Sequence, residues 1–400
     1  MAAHPSDTAA LRPVVHVTTV HPLRDPRIAA KAVPSLRAAG YDARLIARHT
    51  RSETIPVSVG GGIAEVPVEA LPVSRSAGGR PTAKERLVLQ GAVWDHLVRL
   101  RPALVHLHDP ELLPLGWRAQ RRLGARVVYD RHEAYDRRPG AAGRALARLE
   151  RWAFGWLDHT VLAEASYAAA LPLGAPHTLV RNHALPPATL PLPKSPPSVD
   201  TPLRLVYAGT VSEARGLTTM LTALRLARDA GHDWHLTLVG RAPRATERAR
   251  AEAFLHAQTL HDHVTLDGWT DFVPPESMAP YLAAAHVGLC MLAPHPNYVG
   301  SMPTKLYDYL QHALPFVCSD VPLWDAFATV TGSGVTSPPD DPVALVAAIL
   351  RLTSTAYAVH TTAASEAAPH YRWDTEATKL VALYAALLGE KSAEEQENSA

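Results

Sequence analysis

One pattern restricts this chain more than any other, and it is kept from end to end of the 400 residues. A short run of β-branched and aliphatic residues gives way to a turn, and then to a longer stretch at helical spacing. The apolar runs fall at 14–19, 43–47, 104–107, 127–129, 160–162 and 178–180, then at 203–207, 235–239, 264–266, 287–291 and 316–318. Helical spacing fills intervals such as 27–39, 82–100, 143–156, 218–230, 246–259, 280–285, 303–312 and 342–352. Strands alternating with helices predict parallel sheets covered on both faces, the α/β class. One interval breaks the alternation. Residues 186–202 carry prolines at 186, 187, 191, 193, 196, 197 and 202, a density that excludes helix and strand and favours an extended conformation. The pattern therefore predicts two doubly wound domains, 13–185 and 203–373, joined by a linker at 186–202. A last helix follows at 374–388, and then an acidic, solvated tail at 389–400. Ligands of open parallel sheets bind beyond the carboxyl ends of the strands, so two such domains are expected to face each other across a cleft.

Composition narrows the function classes. Thirty-nine basic against 38 acidic residues leave a net charge of +1, which speaks against a nucleic-acid partner, since those proteins carry a basic excess. Cys290 and Cys318 both lie in apolar runs and read as small core side chains of a reducing compartment. No apolar run approaches the roughly 18 residues of a membrane span, and the first residues lack a signal-peptide core. A cytoplasmic location is expected.

Two segments of the second half have the character of phosphate sites. In LRLVYAGTVSEARGL a strand ends at Tyr207, Gly209 and Thr210 open a turn, and Arg215 stands where a helix begins. A guanidinium beside a helix start favours an anion and can bind phosphate with two hydrogen bonds. There is no G-x-G-x-x-G after a strand and no Walker phosphate loop. In NYVGSMPTKLYDYLQHALPFVCSD, Gly300 and Ser301 form a polar turn and Pro303 suits a first helical position. Backbone amides from Ser301 through Met302 to Thr304 are expected to face a diphosphate, with Lys305 nearby. Asp308, one turn deeper, is better placed for ribose hydroxyls.

These segments, with VHVTTVHPLRDPRI, LVHLHDPELLPLG, VVYDRHE, LTLVG, VTLDGW, SMPTKLYDYL and a closing RWD at 372–374, resemble the family 4 retaining glycosyltransferases in order and spacing. The resemblance spans most of the chain and implies the GT-B fold, two Rossmann-like domains with a final helix that crosses back onto the first. It also implies transfer of a sugar from a nucleotide-diphosphate sugar to an acceptor hydroxyl, with retention and without a metal. By the same resemblance Arg215 sits on the donor diphosphate, Asp308 matches the second acid of an E-x7-E motif, and His108 approaches the donor sugar. Two positions depart from the family. Gly300 stands where its first glutamate would be, and Thr210 where many members have an arginine. Contact with the donor sugar would then fall to the backbone at Gly300, Ser301 and Met302. These departures also admit a catalytically silent binding subunit, and a nucleotide-sugar epimerase would share the architecture.

In the first half, His21, Arg24, Asp25 and Arg27 crowd a loop that leads into a helix, which Asp25 can cap. His106 and His108 share a strand face. His106 reads as covered, whereas His108, Asp109 and Glu111 reach the carboxyl end, joined by Asp130, His132 and Glu133 one strand over. His-x-His-Asp lacks a further ligand set, and HEAYD is not the zinc motif H-E-x-x-H, so no metal site is expected. Arg24, Arg27, Asp109, Glu111 and Glu133 are the acceptor-side candidates. Arg215, Asp308 and His108 are the catalytic ones, and Gly209, Thr210, Gly240, Trp269, Gly300, Ser301, Met302, Thr304 and Lys305 would bind the donor. Residues 137–156 combine arginines with Trp152, Phe154 and Trp156. That pattern suits a helix packed on a sheet through Leu149, Trp152 and Trp156, and it also suits peripheral contact with the inner membrane face. Base, sugar and acceptor (a saccharide, a lipid-linked saccharide or a small molecule) stay open.

Overall fold

A computed structural model describes residues 12–59, 62–72, 83–137, 139–187, 189, 191–198, 201–271, 273–274, 277–295, 298–354 and 356–389. From residue 390 onward the expected acidic tail lies outside the described residues. The chain divides into two compact units, residues 1–182 with 373–400 (unit 1) and residues 183–372 (unit 2).

Unit 1 is built on eight strands: β1 (Val14–Val17), β2 (Ala43–Arg48), β3 (Glu53–Val59), β4 (Gly62–Leu71), β5 (Leu104–Leu107), β6 (Arg126–Arg131), β7 (His159–Leu162) and β8 (His177–Leu179). Their order is β3-β4-β2-β1-β5-β6-β7-β8. All pairs are parallel except β3 with β4. Unit 2 has six parallel strands: β9 (Leu203–Ala208), β10 (Trp234–Val239), β11 (Val264–Asp267), β12 (Val287–Cys290), β13 (Phe316–Ser319) and β14 (Gly334–Ser337), in the order β11-β10-β9-β12-β13-β14. In each sheet the order reverses beside the unit's first strand, β1 next to β5 and β9 next to β12. Those are the switch points where a doubly wound fold binds its ligands.

The central strands read VVHV, LVHL, VGLC and FVCS and are buried at every residue. Helices cover both faces of a parallel sheet, so an unbroken apolar run replaces alternation. Helix starts follow local chemistry. Asp341 accepts the amides of Val343 and Ala344 at 2.9 Å each, ahead of Pro342–Leu352. Asp25 accepts those of Arg27 and Ile28 at 3.0 and 3.3 Å, as expected of a cap. The segment it caps opens as a π-helical turn, Pro26–Ala32, before the α-helix Val33–Ala38.

Several features differ from the sequence reading. Strands β3, β4 and β14 were not anticipated. β3 and β4 alternate around the glycines at 60–62, a hairpin signature that is present in the sequence. The proline-rich run expected as a linker belongs to unit 2. Lys194 Nζ donates to the carbonyls of Leu282, Ala283 and Ala285 at 2.8, 2.8 and 2.7 Å, and Ser365 Oγ donates to Pro191 O at 2.6 Å. Trp152 does not face the sheet. It is 45% exposed and lies tilted against the half-exposed Trp117, ring centroids 6.2 Å apart, while Trp156 packs inward. The last helix, Trp373–Leu388, lies in unit 1, where Trp373 Nε1 donates to Ser35 Oγ at 2.8 Å and Arg181 N to Glu376 at 2.8 Å. Among the described residues no single helix is long and apolar enough to cross a membrane.

Candidate functional site

In unit 2 the loops after β9, β10 and β11 are laced together by backbone bonds: Gly209 N to Val239 O at 2.9 Å, Gly240 N to Asp267 O at 2.8 Å, and Ala242 N to Trp269 O at 3.0 Å. Gly240 has φ +134°, and a Cβ there would lie 2.1 Å from Gly209 O. Only glycine lets the two turns touch. Tyr207, at the end of β9, donates its hydroxyl to Thr210 O at 2.8 Å and so tightens the first turn. The chain then makes one short turn, Glu213–Arg215. Gly216 follows at φ +81°, where a Cβ would meet Met291 O at 2.3 Å.

Arg215 and Lys305 meet at this switch point. With Tyr298, Ser301, Thr304 and Trp324 among the other lining residues, they border a cavity of about 190 Å³ whose wall, among the described residues, contains no carboxylate. Lys305, 7% exposed, lies 4.8 Å from the Tyr207 ring centroid, and Arg215 lies 5.9 Å from that of Tyr298. Burial opposes the charge on Arg215, but Tyr207 and Tyr298 outweigh it and raise its pKa. Cys290, close beneath, is pushed up to about 11 by burial against the pull of both cations, so it is an inert thiol. The volume falls below the roughly 300–1,000 Å³ of a whole small-molecule site. It suits a fragment such as a diphosphate.

Of the expected donor residues, Arg215, Ser301, Met302, Thr304 and Lys305 line this cavity, and Gly209 approaches Lys305 to 3.9 Å from its would-be Cβ. Others need correction. The Ser301 amide does not face a ligand, because it donates to Tyr298 O at 3.0 Å. Pro303 precedes the helix Thr304–Leu310 rather than opening it. Asp308 is not on the cavity wall, and its carbonyl takes the His312 ring at 2.9 Å. Trp269 points its Nε1 to Glu252, 2.7 Å away. Thr210 is exposed and held by its own carbonyl, and Gly300 adjoins Ser301 without lining the cavity.

In unit 1 the strands beside the switch point carry histidines on one face. His16 of β1 is in register with His106 of β5, and Asp130 and His132 follow on β6 and just beyond it. His108, expected to approach the donor sugar, is wholly buried here, held by His16 at 2.9 Å on one nitrogen and His132 at 2.9 Å on the other. Arg27, an expected acceptor-side group, is 3% exposed and grips Asp130 with two bonds of 2.9 and 2.8 Å. Asp109 is 1% exposed and pins the β1 loop through the amides of Thr19 and Val20 at 2.5 and 3.2 Å. Arg24 turns to Pro56 O at 3.0 Å, and Glu111 and Glu133 are half-buried.

The groups that do reach the carboxyl edge are His21 and His132, ring centroids 5.0 Å apart, with side chains 19% and 10% exposed. Burial opposes a charge on His21, but Asp25, Asp109 and Glu133 prevail and raise its pKa. Burial drives His132 down to about 3, so it is neutral. The i, i+2 spacing of 106, 108 and of 130, 132 was the signal that could have found this face.

His16, His106 and His108, and separately His108, Asp130 and His132, bring ligand atoms within 4.8 Å of one another. In the first set His16 and His108 bond each other at 2.9 Å, and the Tyr384 hydroxyl takes up His106 Nδ1 and His16 Nε2. In the second set Arg27 already occupies Asp130, and the two imidazoles bond each other. The cluster is arranged for hydrogen bonds. A larger hollow of about 670 Å³, edged by Arg12, Arg44, Arg99, Arg101 and Arg122, lies at the amino ends of β1 and β2, away from the switch point.

Two doubly wound parallel sheets, one with a cationic cavity at its switch point, define the class: the chain is a GT-B glycosyltransferase. Residues 27–183 match the model of the glycosyl transferase 4-like domain and residues 202–355 that of glycosyl transferases group 1, and the chain belongs to this GT4-like family. Among solved structures it is similar to sucrose-phosphate synthase of Thermosynechococcus elongatus (TM-score 0.72, 17% identity, 94% of this chain and 99% of that one). It is also similar to Anabaena HepE, solved in complex with UDP and glucose (0.68, 13%, 94% and 100%). A third is the catalytic domain of starch synthase IV from Arabidopsis thaliana, bound to ADP and acarbose (0.64, 15%, 95% and 100%). A comparison with curated proteins gave no sequence match.

Proposed function

We propose that the protein transfers a glycosyl group from a nucleotide-diphosphate sugar to an acceptor hydroxyl, with retention at the anomeric carbon and without a metal. One observation carries this reading, the cavity at the β9/β12 switch point with two cations and, among the described residues, no carboxylate in its wall. As the glycosidic bond to the donor breaks, negative charge accumulates on the departing diphosphate. Arg215 and Lys305 are already in place to meet it, and preorganised charge of this kind stabilises a developing anion. Two protein cations do there what a divalent ion does in other enzymes. The nucleotides held by HepE and by starch synthase IV, UDP and ADP, support a diphosphate ligand and leave the base open. On unit 1, His132 is neutral and partly exposed at the carboxyl edge, where it can accept a hydrogen bond from a hydroxyl group.

Product analysis tests the reading. The new linkage should keep the donor's anomeric configuration, and turnover should survive EDTA. An inverted product, or activity lost in EDTA and restored by magnesium or manganese, contradicts it. A second reading, nucleotide binding without transfer, is favoured by Gly300, which brings no carboxylate to the place where the family has one. It predicts nucleotide binding with no transfer or hydrolysis across donors. Arg144, Arg148 and Arg151 on the helix Gly140–Ala153 are solvent-accessible beside exposed Trp152. That surface suits peripheral contact with anionic lipid and, with it, a lipid-linked acceptor.

A further inference from the structure

We infer that Asp130 and Tyr384 are positioning residues, which together fix the ring nitrogen of His132 that is left bare, through one hydrogen-bonded chain across the buried face of the unit 1 sheet. The links run from His106 Nδ1 to the Tyr384 hydroxyl (2.7 Å), from that hydroxyl to His16 Nε2 (3.1 Å), from His16 Nδ1 to His108 Nε2 (2.9 Å), and from His108 Nδ1 to His132 Nε2 (2.9 Å). A neutral imidazole has one N–H and one bare nitrogen. His16 and His108 each spend both nitrogens on the chain, so the proton position on one ring dictates all the others. Two arrangements satisfy every link and also use the buried Tyr384 proton in one of them. In the first, all four rings are protonated on Nε2, Tyr384 donates to His106, and His132 presents a bare Nδ1. In the second every proton is on Nδ1 and Tyr384 donates to His16.

Asp130 decides between them. An ionised carboxylate only accepts, and the two bonds from Arg27 keep it ionised. Its Oδ2 lies 3.6 Å from His106 Nε2, 3.7 Å from His132 Nε2 and 3.7 Å from His108 Nδ1. The first arrangement turns two N–H groups and one bare nitrogen toward it, and the second turns one N–H and two bare nitrogens. Attraction at two positions against one selects the first. His106 Nε2 has no closer hydrogen-bond partner among the described residues, which leaves it free to follow the carboxylate. The other end of the chain is the partly exposed His132, where the direction of the chain becomes a defined acceptor at the carboxyl edge. Burial keeps His16, His108 and His132 neutral, as the chain requires.

Histidine tautomers are directly measurable. In the full-length protein labelled with 15N-histidine, long-range 1H–15N correlations report which nitrogen of each ring is protonated, and loss of one pair in His132→Asn assigns His132. The wild type is expected to show His132 protonated on Nε2 and bare on Nδ1. Tyr384→Phe keeps the ring and cuts the chain. Asp130 still governs His106, but at His108 and His132 its preferences oppose one to one, so His132 is expected to show both tautomers while His106 stays unchanged. Protonated Nδ1 on His132 in the wild type overturns the proposal, and so does an unaltered His132 in Tyr384→Phe. If that variant does not fold, the wild-type spectrum alone decides the direction. The inference rests on the functional reading only for what His132 touches. Failure of the nucleotide site leaves the tautomer result standing, and a wrong tautomer leaves the cavity of Arg215 and Lys305 untouched.

Discussion

Arg215 stands one residue before a glycine that no other side chain could replace without striking Met291, so the guanidinium is aimed by the backbone. Removing one preorganised donor to a developing anion costs about 2.7–4 kcal/mol in comparable sites. Arg215→Ala is therefore expected to lower kcat roughly a hundredfold or more. A loss under about threefold would remove it from the mechanism. Residue by residue, the cationic side of the site could be read from the sequence, since Arg215 and Lys305 each follow a strand and a turn. On the histidine side the shared strand face could be read, but the covering of His108 could not. His108 sits at a strand end, where a ligand contact was expected, yet His16 from β1 and His132 from β6 close over it. Which neighbours cover a strand end depends on how far adjacent strands extend, a tertiary fact that no local pattern contains.

At the scale of elements, β1, β5 and β6 bury a neutral histidine cluster, and this makes stability depend on pH. His16 and His108 are held well below the ordinary value near 6.5 by burial, and His132 is held at about 3. The unfolded chain takes up these three protons as pH falls through about 6.5, and the folded chain refuses them. Stability rises with pH wherever the unfolded state binds more protons, at about 1.4 kcal/mol per pH unit for each proton. His21, with its raised pKa, acts in the opposite direction only between about 6.5 and that raised value, and adds no slope below that window. Urea denaturation at pH 7, 6 and 5 is thus expected to show a steady loss of stability. A flat or rising profile would mean that the cluster is charged in the fold. The strands themselves were visible as apolar runs, except where β3 and β4 alternate around glycines and where the short β14, GVTS, is only partly buried.

For the whole molecule, the two family models and the two switch points agree on a glycosyltransferase. The order of elements was accessible from sequence because parallel sheets write their burial directly into the chain. The place of the proline-rich run was not, because Lys194 ties it to unit 2 by contacts far apart in sequence. The central claim is that unit 2 holds a diphosphate between Arg215 and Lys305. Thermal unfolding of the wild type and of Arg215→Ala with UDP, GDP, ADP and dTDP, alone and as their sugars, tests it most directly. A nucleotide at a hundred times its Kd stabilises by about 2.7 kcal/mol. At least one diphosphate is expected to raise the Tm of the wild type and to lose most of that effect in Arg215→Ala. No shift with any of them, or a shift equal in both proteins, would contradict the account.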